Sequence, residues 1–278
     1  MKEDTTDPVR PGDDSLFYSS YIEFQDPVVV AVRSEAFGED IGQFGWTTAG
    51  EMRRFFQLLE LGPQSRVLDI ACGSGGPALF MARTAGCHVT GVDINQEGIR
   101  TADNMATNLG LTAQTRFQRA DAGRTLPFEG NSLDAILCVD AIDHFMDRIS
   151  LLKECYRVLR PGGRILFTDP IVVTGLLERE EMIARSSSMG IFVFTPEGLD
   201  ERIIEAAGFE SPQVEDATDN IVLVSGQWRQ AREKHSAELA ELEGQTTFDR
   251  FQRFLATVHQ LSSEKRLSRI LYVARKPA

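Results

Sequence analysis

Carboxylates and glycines in this chain are spaced to hold a large polar ligand. Asp69 lies within an apolar run, and the turn behind it, Ala71-Cys72-Gly73-Ser74-Gly75-Gly76, places three glycines within four positions. A turn stripped of side chains lets something bulky rest directly on the backbone, and a helix starting there offers unpaired N–H groups. Asp93 ends the next apolar run 93 − 75 = 18 residues after Gly75, an offset at which a carboxylate can accept both hydroxyls of a ribose. Asp121, followed by Ala122, closes the third run, and Asp140-Ala141-Ile142-Asp143-His144 follows the fourth. An imidazole titrates near neutrality, so His144 is the candidate base for a hydroxyl or ammonium acceptor. Its competing role is to cap or pack against the next helix. The competing reading of Asp69 is a structural cap on its turn, and that of Asp121 an exposed turn residue.

These residues need a scaffold that brings strand ends together. Short apolar runs alternating with amphipathic stretches predict strand 66–70, helix 76–85, strand 88–93, helix 96–109, strands 115–119 and 133–138, helix 147–159 and strand 164–169. That alternation indicates a parallel sheet with helices on both faces, whose ligands sit at the carboxyl ends of the strands. Helices are expected near 178–187 and 197–207, the second with Thr195 as cap and Pro196 in its first turn. A strand near 210–215 follows. Ile221, Val224, Trp228, Ala231, His235, Leu239 and Leu242 then recur at helical steps, predicting one long helix over 219–243. A second helix, 247–263, precedes a closing strand in "SRILYVAR". This pair reads as an insertion before the last strand. Between Leu16 and Leu61 the pattern is helical and aromatic, interrupted by the glycine-bearing "FGEDIGQFGWTT". Tyr18, Tyr21, Phe44 and Trp46 could form a lid over an acceptor or pack on the domain, and tyrosine faces also attract cationic amines.

Composition excludes several partners. With 278 residues, 42 % of them apolar and 25 % charged, the chain has the make-up of a globular protein. A net charge of −12 opposes the counterion displacement on which nucleic-acid binding rests. No apolar run approaches a membrane span, and residues 1–14 read as an acidic disordered tail without the apolar core of a secretory signal. Cys72, Cys87, Cys138 and Cys155 lack metal or redox spacing and sit among apolar neighbours, which suits reduced thiols in a cytoplasmic protein. His88, His235 and His259 read as structural or exposed, and no metal site is expected.

By spacing alone the glycine turn fits two ligands. Gly73 to Ala78 satisfies the GxGxxG/A pattern of dinucleotide binding, which points to an NAD(P)-dependent oxidoreductase. Asp69-Ile70-Ala71-Cys72-Gly73-Ser74-Gly75 instead resembles the DxGxGxG turn of class I S-adenosylmethionine-dependent methyltransferases, with Ala71 where the first glycine usually stands. The acid at 121 and the "LPF…LDAI" segment resemble that family and have no counterpart in the nicotinamide fingerprint. The resemblance runs from about residue 37 to 210. It implies a Rossmann-like seven-stranded, mostly parallel sheet, an N-terminal helical lid over 15–61, a cofactor domain over 62–216 and a helical insertion with the final strand over 217–278. It also implies S-adenosyl-L-methionine as cofactor, held by Asp69, Ala71, Cys72, Gly73, Gly75, Asp93, Ile94, Asp121, Ala122 and Val139.

The loop "FGEDIGQFGWTT" and the late helical pair further resemble the phosphoethanolamine and glycine/sarcosine N-methyltransferase branch. In that branch a tyrosine and a histidine flank the acceptor, which implies Tyr18 or Tyr21 with His144. Tyr21, Asp140 and His144 are the catalytic candidates, and Tyr18, Tyr21, Phe44, Trp46 and His144 the acceptor-facing ones. Phosphoethanolamine enzymes carry an arginine where this chain has Val139, which argues against a phosphorylated acceptor. The expectation is N-methylation of a small molecule by a monomer or homodimer, with O- or C-methylation as alternatives and a noncatalytic cofactor-binding protein as the reading from another class.

Overall fold

The computed structural model describes residues 20–186 and 192–278. Tyr18 and the tail expected over 1–14 lie outside them. Helix α1 spans Pro27–Phe37 and α2 spans Ala49–Leu58. The alternating core then runs β1 Arg66–Ile70, α3 Gly76–Ala85, β2 His88–Asp93, α4 Gln96–Asn108, β3 Thr115–Arg119, β4 Leu133–Cys138, α5 Arg148–Val158 and β5 Leu159–Val173. Helix α6 Arg179–Ser186, the two-residue β6 Thr195–Pro196, α7 Leu199–Ala206 and β7 Gln213–Asp216 follow. Helices α8 Thr218–Lys234, α9 Ser236–Glu243 and α10 Gln245–Ser263 separate β7 from β8, Leu267–Arg275. Local chemistry sets several starts. Asp26 accepts the Val28 N–H at 2.9 Å ahead of Pro27 in α1, and Asn95 accepts the N–H groups of Glu97 and Gly98 at the head of α4.

The sheet order is β3-β2-β1-β4-β5-β8-β7, with β6 attached to β5. Strands β1 to β5 are parallel, and β8 runs antiparallel to both β5 and β7. The expected seven-stranded Rossmann-like sheet is present, with β6 as an eighth, minimal strand. Period-two alternation sends side chains to opposite faces. Val67, Ala135 and Leu137 meet α2, α3 and α4, whereas Leu68, Ile70 and Ile136 meet α5 and α7. A third cluster packs Val32, Ala36 and Phe37 of α1 and Trp46 against Val224 and Trp228 of α8 and Phe251 and Phe254 of α10. The insertion and the N-terminal segment therefore share one core above the strand ends.

Four expectations of local structure are corrected. The helix read over 219–243 breaks at His235, because Lys234 and His235 turn onto Glu35 of α1 at 2.7 and 3.0 Å while Leu239 drops into the cap core. The gap expected between helix 147–159 and strand 164–169 is absorbed into β5, since Gly162 and Gly163 exchange backbone bonds with Lys276 beyond the end of β8. Thr195 caps no helix. Its hydroxyl donates to Asp169 at 2.6 Å, and Gly198, at φ +78°, precedes α7. The strand expected at 210–215 starts at Gln213, where pairing with Val273 begins. Among the described residues no helix is long and apolar enough to cross a membrane.

Candidate active site

The carboxyl ends of β1, β2, β4 and β5 meet at one edge, so residues far apart in sequence become neighbours. After β1 the chain turns through Ala71 at φ +57°, Gly73 at +52° and Gly75 at +78°. Alanine pays about 1–2 kcal/mol for that left-handed conformation, so Ala71 keeps the glycine turn at the expense of local strain. The bareness of the turn has specific causes. A Cβ on Gly73 would stand 2.8 Å from the Tyr21 hydroxyl, one on Gly75 would stand 2.7 Å from Ala102 Cβ, and one on Gly76 would overlap the Gly42 carbonyl. The loop after α1 is thus laid on the start of α3, and the Tyr21 ring on Gly73 and Gly98.

Two acids face this turn. Asp69 is buried and its Oδ2 has no partner; burial, then the charge of Asp93, push its carboxyl up to about 8. Asp93 accepts the N–H of Gly73 and of Asn95, each at 2.8 Å. Burial raises its carboxyl, whereas those two N–H groups and His144 pull it down. Burial also raises the Tyr21 phenol, with Asp93 adding to the effect. An orphaned buried carboxylate beside a bare turn suits a ligand bearing an ammonium, and a carboxylate at the tip of β2 suits a sugar diol. S-adenosylmethionine carries both groups, so these residues fit it. Asp69 would take its ammonium and Asp93 its ribose.

The remaining candidates divide. Ala122 is buried, whereas Asp121 is exposed, accepts the Gly123 N–H at 3.0 Å and pairs with Arg124. Ile94 is exposed at the rim, and Val139 packs on the core. Cys72 is buried and burial pushes its thiol up; all four cysteines are buried and unbridged. Trp46 is buried, stacked on Phe254 and edge-on to Trp228, which also meets Phe44 edge-on. Tyr21 lies 6.1 Å from Phe44, so the structure brings those two together over the turn while the Trp46 ring serves the cap core. His144 sits half-buried on a short 3-10 turn, Ile142–His144, its ring 4.9 Å from Phe192.

Asp140 holds a position that sequence reasoning did not foresee. At φ +51° its carboxylate accepts the Trp46 N–H at 2.7 Å, the Thr168 hydroxyl at 2.8 Å and the Arg269 Nε at 2.6 Å. Arg269, fully buried on β8, also donates to Glu51 and to Thr47, each at 2.7 Å. Asn220 of α8 joins by donating to the Trp46 carbonyl and to Glu51. All acceptor capacity of Asp140 is committed, which makes it a positioning residue that ties the exit of β4 to the N-terminal loop and the insertion. Sequence analysis missed Arg269, Glu51, Thr47 and Thr168. The available signal was an arginine inside the otherwise apolar "SRILYVAR". Among the described residues no group of three or more His, Cys, Asp or Glu side chains is placed to hold a metal ion.

Strand order reverses between β1 and β4, opening the crevice at Asp69 in which such sheets bind ligands; with the antiparallel β8 beside β5, fold and site define the class I methyltransferases. Residues 68–167 match the family described as a methyltransferase domain, and this domain with the similar proteins below supports an S-adenosylmethionine-dependent methyltransferase. The nicotinamide reading of the glycine turn is thereby set aside. The chain is 29 % identical over 226 residues to 27-O-demethylrifamycin SV methyltransferase of Amycolatopsis mediterranei, covering 81 % of this chain and 82 % of that one. It is 30 % identical over 197 residues to phosphoethanolamine N-methyltransferase of Triticum aestivum, covering 71 % of this chain but only 38 % of that enzyme. A solved structure of Haemonchus contortus phosphoethanolamine N-methyltransferase 2 with S-adenosyl-L-methionine superposes with a TM-score of 0.78 at 22 % identity, over 93 % of this chain and 60 % of that one. At that identity the likeness speaks for the fold.

Proposed function

We propose that this enzyme transfers a methyl group from S-adenosylmethionine to a nitrogen of a small-molecule acceptor, with His144 receiving the proton the nitrogen sheds. The observation that carries the reading is the place of His144, half-buried on the short turn Ile142–His144 at the exit of β4, where its ring lies against Phe192. An imidazole at that strand end is the group suited to take up a proton from an acceptor nitrogen. When bound, S-adenosylmethionine supplies a methyl group on a sulfonium, an electrophile that a lone pair attacks in line. The chain's own work is positional. Asp69 and Asp93 would hold the donor's two ends, and Tyr21, lying on Gly73, closes the crevice from above together with Phe44.

Similarity to the phosphoethanolamine enzymes, and to glycine/sarcosine/dimethylglycine N-methyltransferase of Actinopolyspora halophila at 26 % identity, supports nitrogen as the methylated atom. Oxygen is the second reading, favoured by the relative that this chain covers over four-fifths of its length. The test incubates the enzyme with donor labelled with carbon-13 in the methyl group and a metabolite mixture, then locates the labelled resonance. A signal in the N-methyl region supports the proposal and an O-methyl signal transfers it to the second reading. Failure to bind S-adenosylhomocysteine in calorimetry would refute both.

A further inference from the structure

The segment that lies on the glycine turn is fastened by a buried arginine that none of the roles above employs. Residues 20–26 carry the Tyr21 ring onto Gly73 and Gly98, and the two acids of the crevice, Asp69 and Asp93, are 3 and 8 % exposed. Tyr21 and Phe24 are buried as well, yet neither belongs to the apolar clusters that hold the domain together among the described residues. Polar contacts hold the segment instead. The Thr101 hydroxyl of α4 donates to the Tyr21 carbonyl at 3.1 Å. Arg33 of α1 donates through Nη1 to the Phe24 carbonyl at 2.6 Å, and its guanidinium stands 3.9 Å from the centre of the Phe24 ring.

The same guanidinium reaches the loop that follows α1. Its Nε donates to both Asp40 oxygens, at 3.1 and 3.3 Å, and Asp40 accepts the N–H of Gly42, the residue that rests on Gly76 at the head of α3, at 2.8 Å. Arg33 is 4 % exposed and borders two cavities, one beside Phe44, Trp228 and Phe251 and the other beside Asp40, Gly76, Leu79 and Met105. Packing around it is thus incomplete, and the segment's seat depends on directed, charge-assisted bonds. Such bonds break at a modest net cost, whereas a close-packed apolar seat would have to be repacked. We propose that residues 20–26 lift to let S-adenosylmethionine reach Asp69 and Asp93, and that Arg33 is the positioning residue that clasps this segment, with Tyr21, over the crevice. Entry and exit then share one opening, so weakening the clasp speeds both and leaves their ratio nearly unchanged. The proposal rests on the glycine turn holding the donor.

The test measures both rates of S-adenosylhomocysteine binding to the full chain by surface plasmon resonance, alongside thermal melts. Arg33→Met should raise association and dissociation together by about tenfold while Kd changes less than about threefold. Asp40, whose side chain is 18 % exposed, keeps contact with water and with the Gly42 N–H when Arg33 is gone, so the variant is not left with a sealed charge. Asp40→Asn, which leaves the Phe24 bond in place, should raise both rates by less, and Arg33→Lys, able to serve one partner at a time, should restore part of the difference. A lower melting temperature with both rates unchanged would mark a merely structural role and overturn the proposal. A faster dissociation with association unchanged would overturn it too, because the arginine would then act on the bound complex and not on the opening. Should Arg33→Met fail to fold, Asp40→Asn and Arg33→Lys decide by the same pair of rates. No binding of S-adenosylhomocysteine by the unmodified chain would refute the donor assignment itself, an outcome distinct from unchanged rates.

Discussion

Replacing Arg269 by Met tests whether the exit of β4 is held from behind. The guanidinium is fully buried and makes four hydrogen bonds, two to Asp140 at 2.6 and 3.4 Å, one to Glu51 and one to Thr47 at 2.7 Å each. Methionine fills much of the volume and removes the cation, which strands two carboxylates whose side chains are 1 % and 12 % exposed. Breaking a buried pair from one side costs about 3–5 kcal/mol. At roughly 2–4 °C per kcal/mol for a large domain, the melting temperature should fall by about 6–20 °C. Three further readouts separate this node from generic damage to the core. The deficit should shrink as pH falls toward the carboxylate range, because protonation relieves the stranded charges. Adding Asp140→Asn should recover part of the loss, giving a favourable coupling energy in a double-mutant cycle. The rate of methyl transfer should drop more than S-adenosylhomocysteine affinity, because Asp140 positions the loop carrying His144 while Asp69 and Asp93 stay in place. A loss below about 1 kcal/mol, or a deficit independent of pH, would refute the reasoning.

Three other perturbations test the cofactor crevice. Asp93→Asn should weaken S-adenosylhomocysteine at least tenfold in calorimetry, since an amide cannot accept two sugar hydroxyls and the Gly73 N–H together. Asp69, raised to about 8 against an ordinary 3.8, lets the folded protein bind more protons than the unfolded chain between those pH values. Without cofactor, stability should therefore fall as pH rises from about 4 to about 8, and Asp69→Asn should flatten that slope in thermal melts. By the same linkage, an ammonium arriving at Asp69 should release a proton near neutrality, seen as a calorimetric enthalpy that changes with the buffer. Gly76→Ala should cost about 1–3 kcal/mol and weaken cofactor binding, because its Cβ would collide with the Gly42 backbone and lift the N-terminal loop.

Local patterns in the chain were sufficient for the sheet and for the juxtaposition of its glycine turn with Asp69 and Asp93. Alternating apolar runs depend only on backbone periodicity, and a glycine turn followed 18 residues later by Asp93 lies within one β-α-β unit. Geometry over so short a stretch leaves little freedom, so Asp69, Gly73, Gly75 and Asp93 arrive together in the structure. Helix 219–243 was misread because its apolar stripe continues through His235, whereas the break answers to Glu35, about two hundred positions earlier.

Contacts between distant segments were decided by tertiary structure alone. Nothing near Asp140 in sequence announces Arg269, 129 positions away, and nothing near Trp46 announces Asn220. A buried charge is tolerated only where its counter-charge lands, and that landing is set by how β8 returns between β5 and β7. The same logic kept Asp143 and Arg185 out of view. A carboxylate and a guanidinium look exposed to any sequence scale, and only the tertiary packing, with Phe192 against the Arg185 guanidinium, removes them from water.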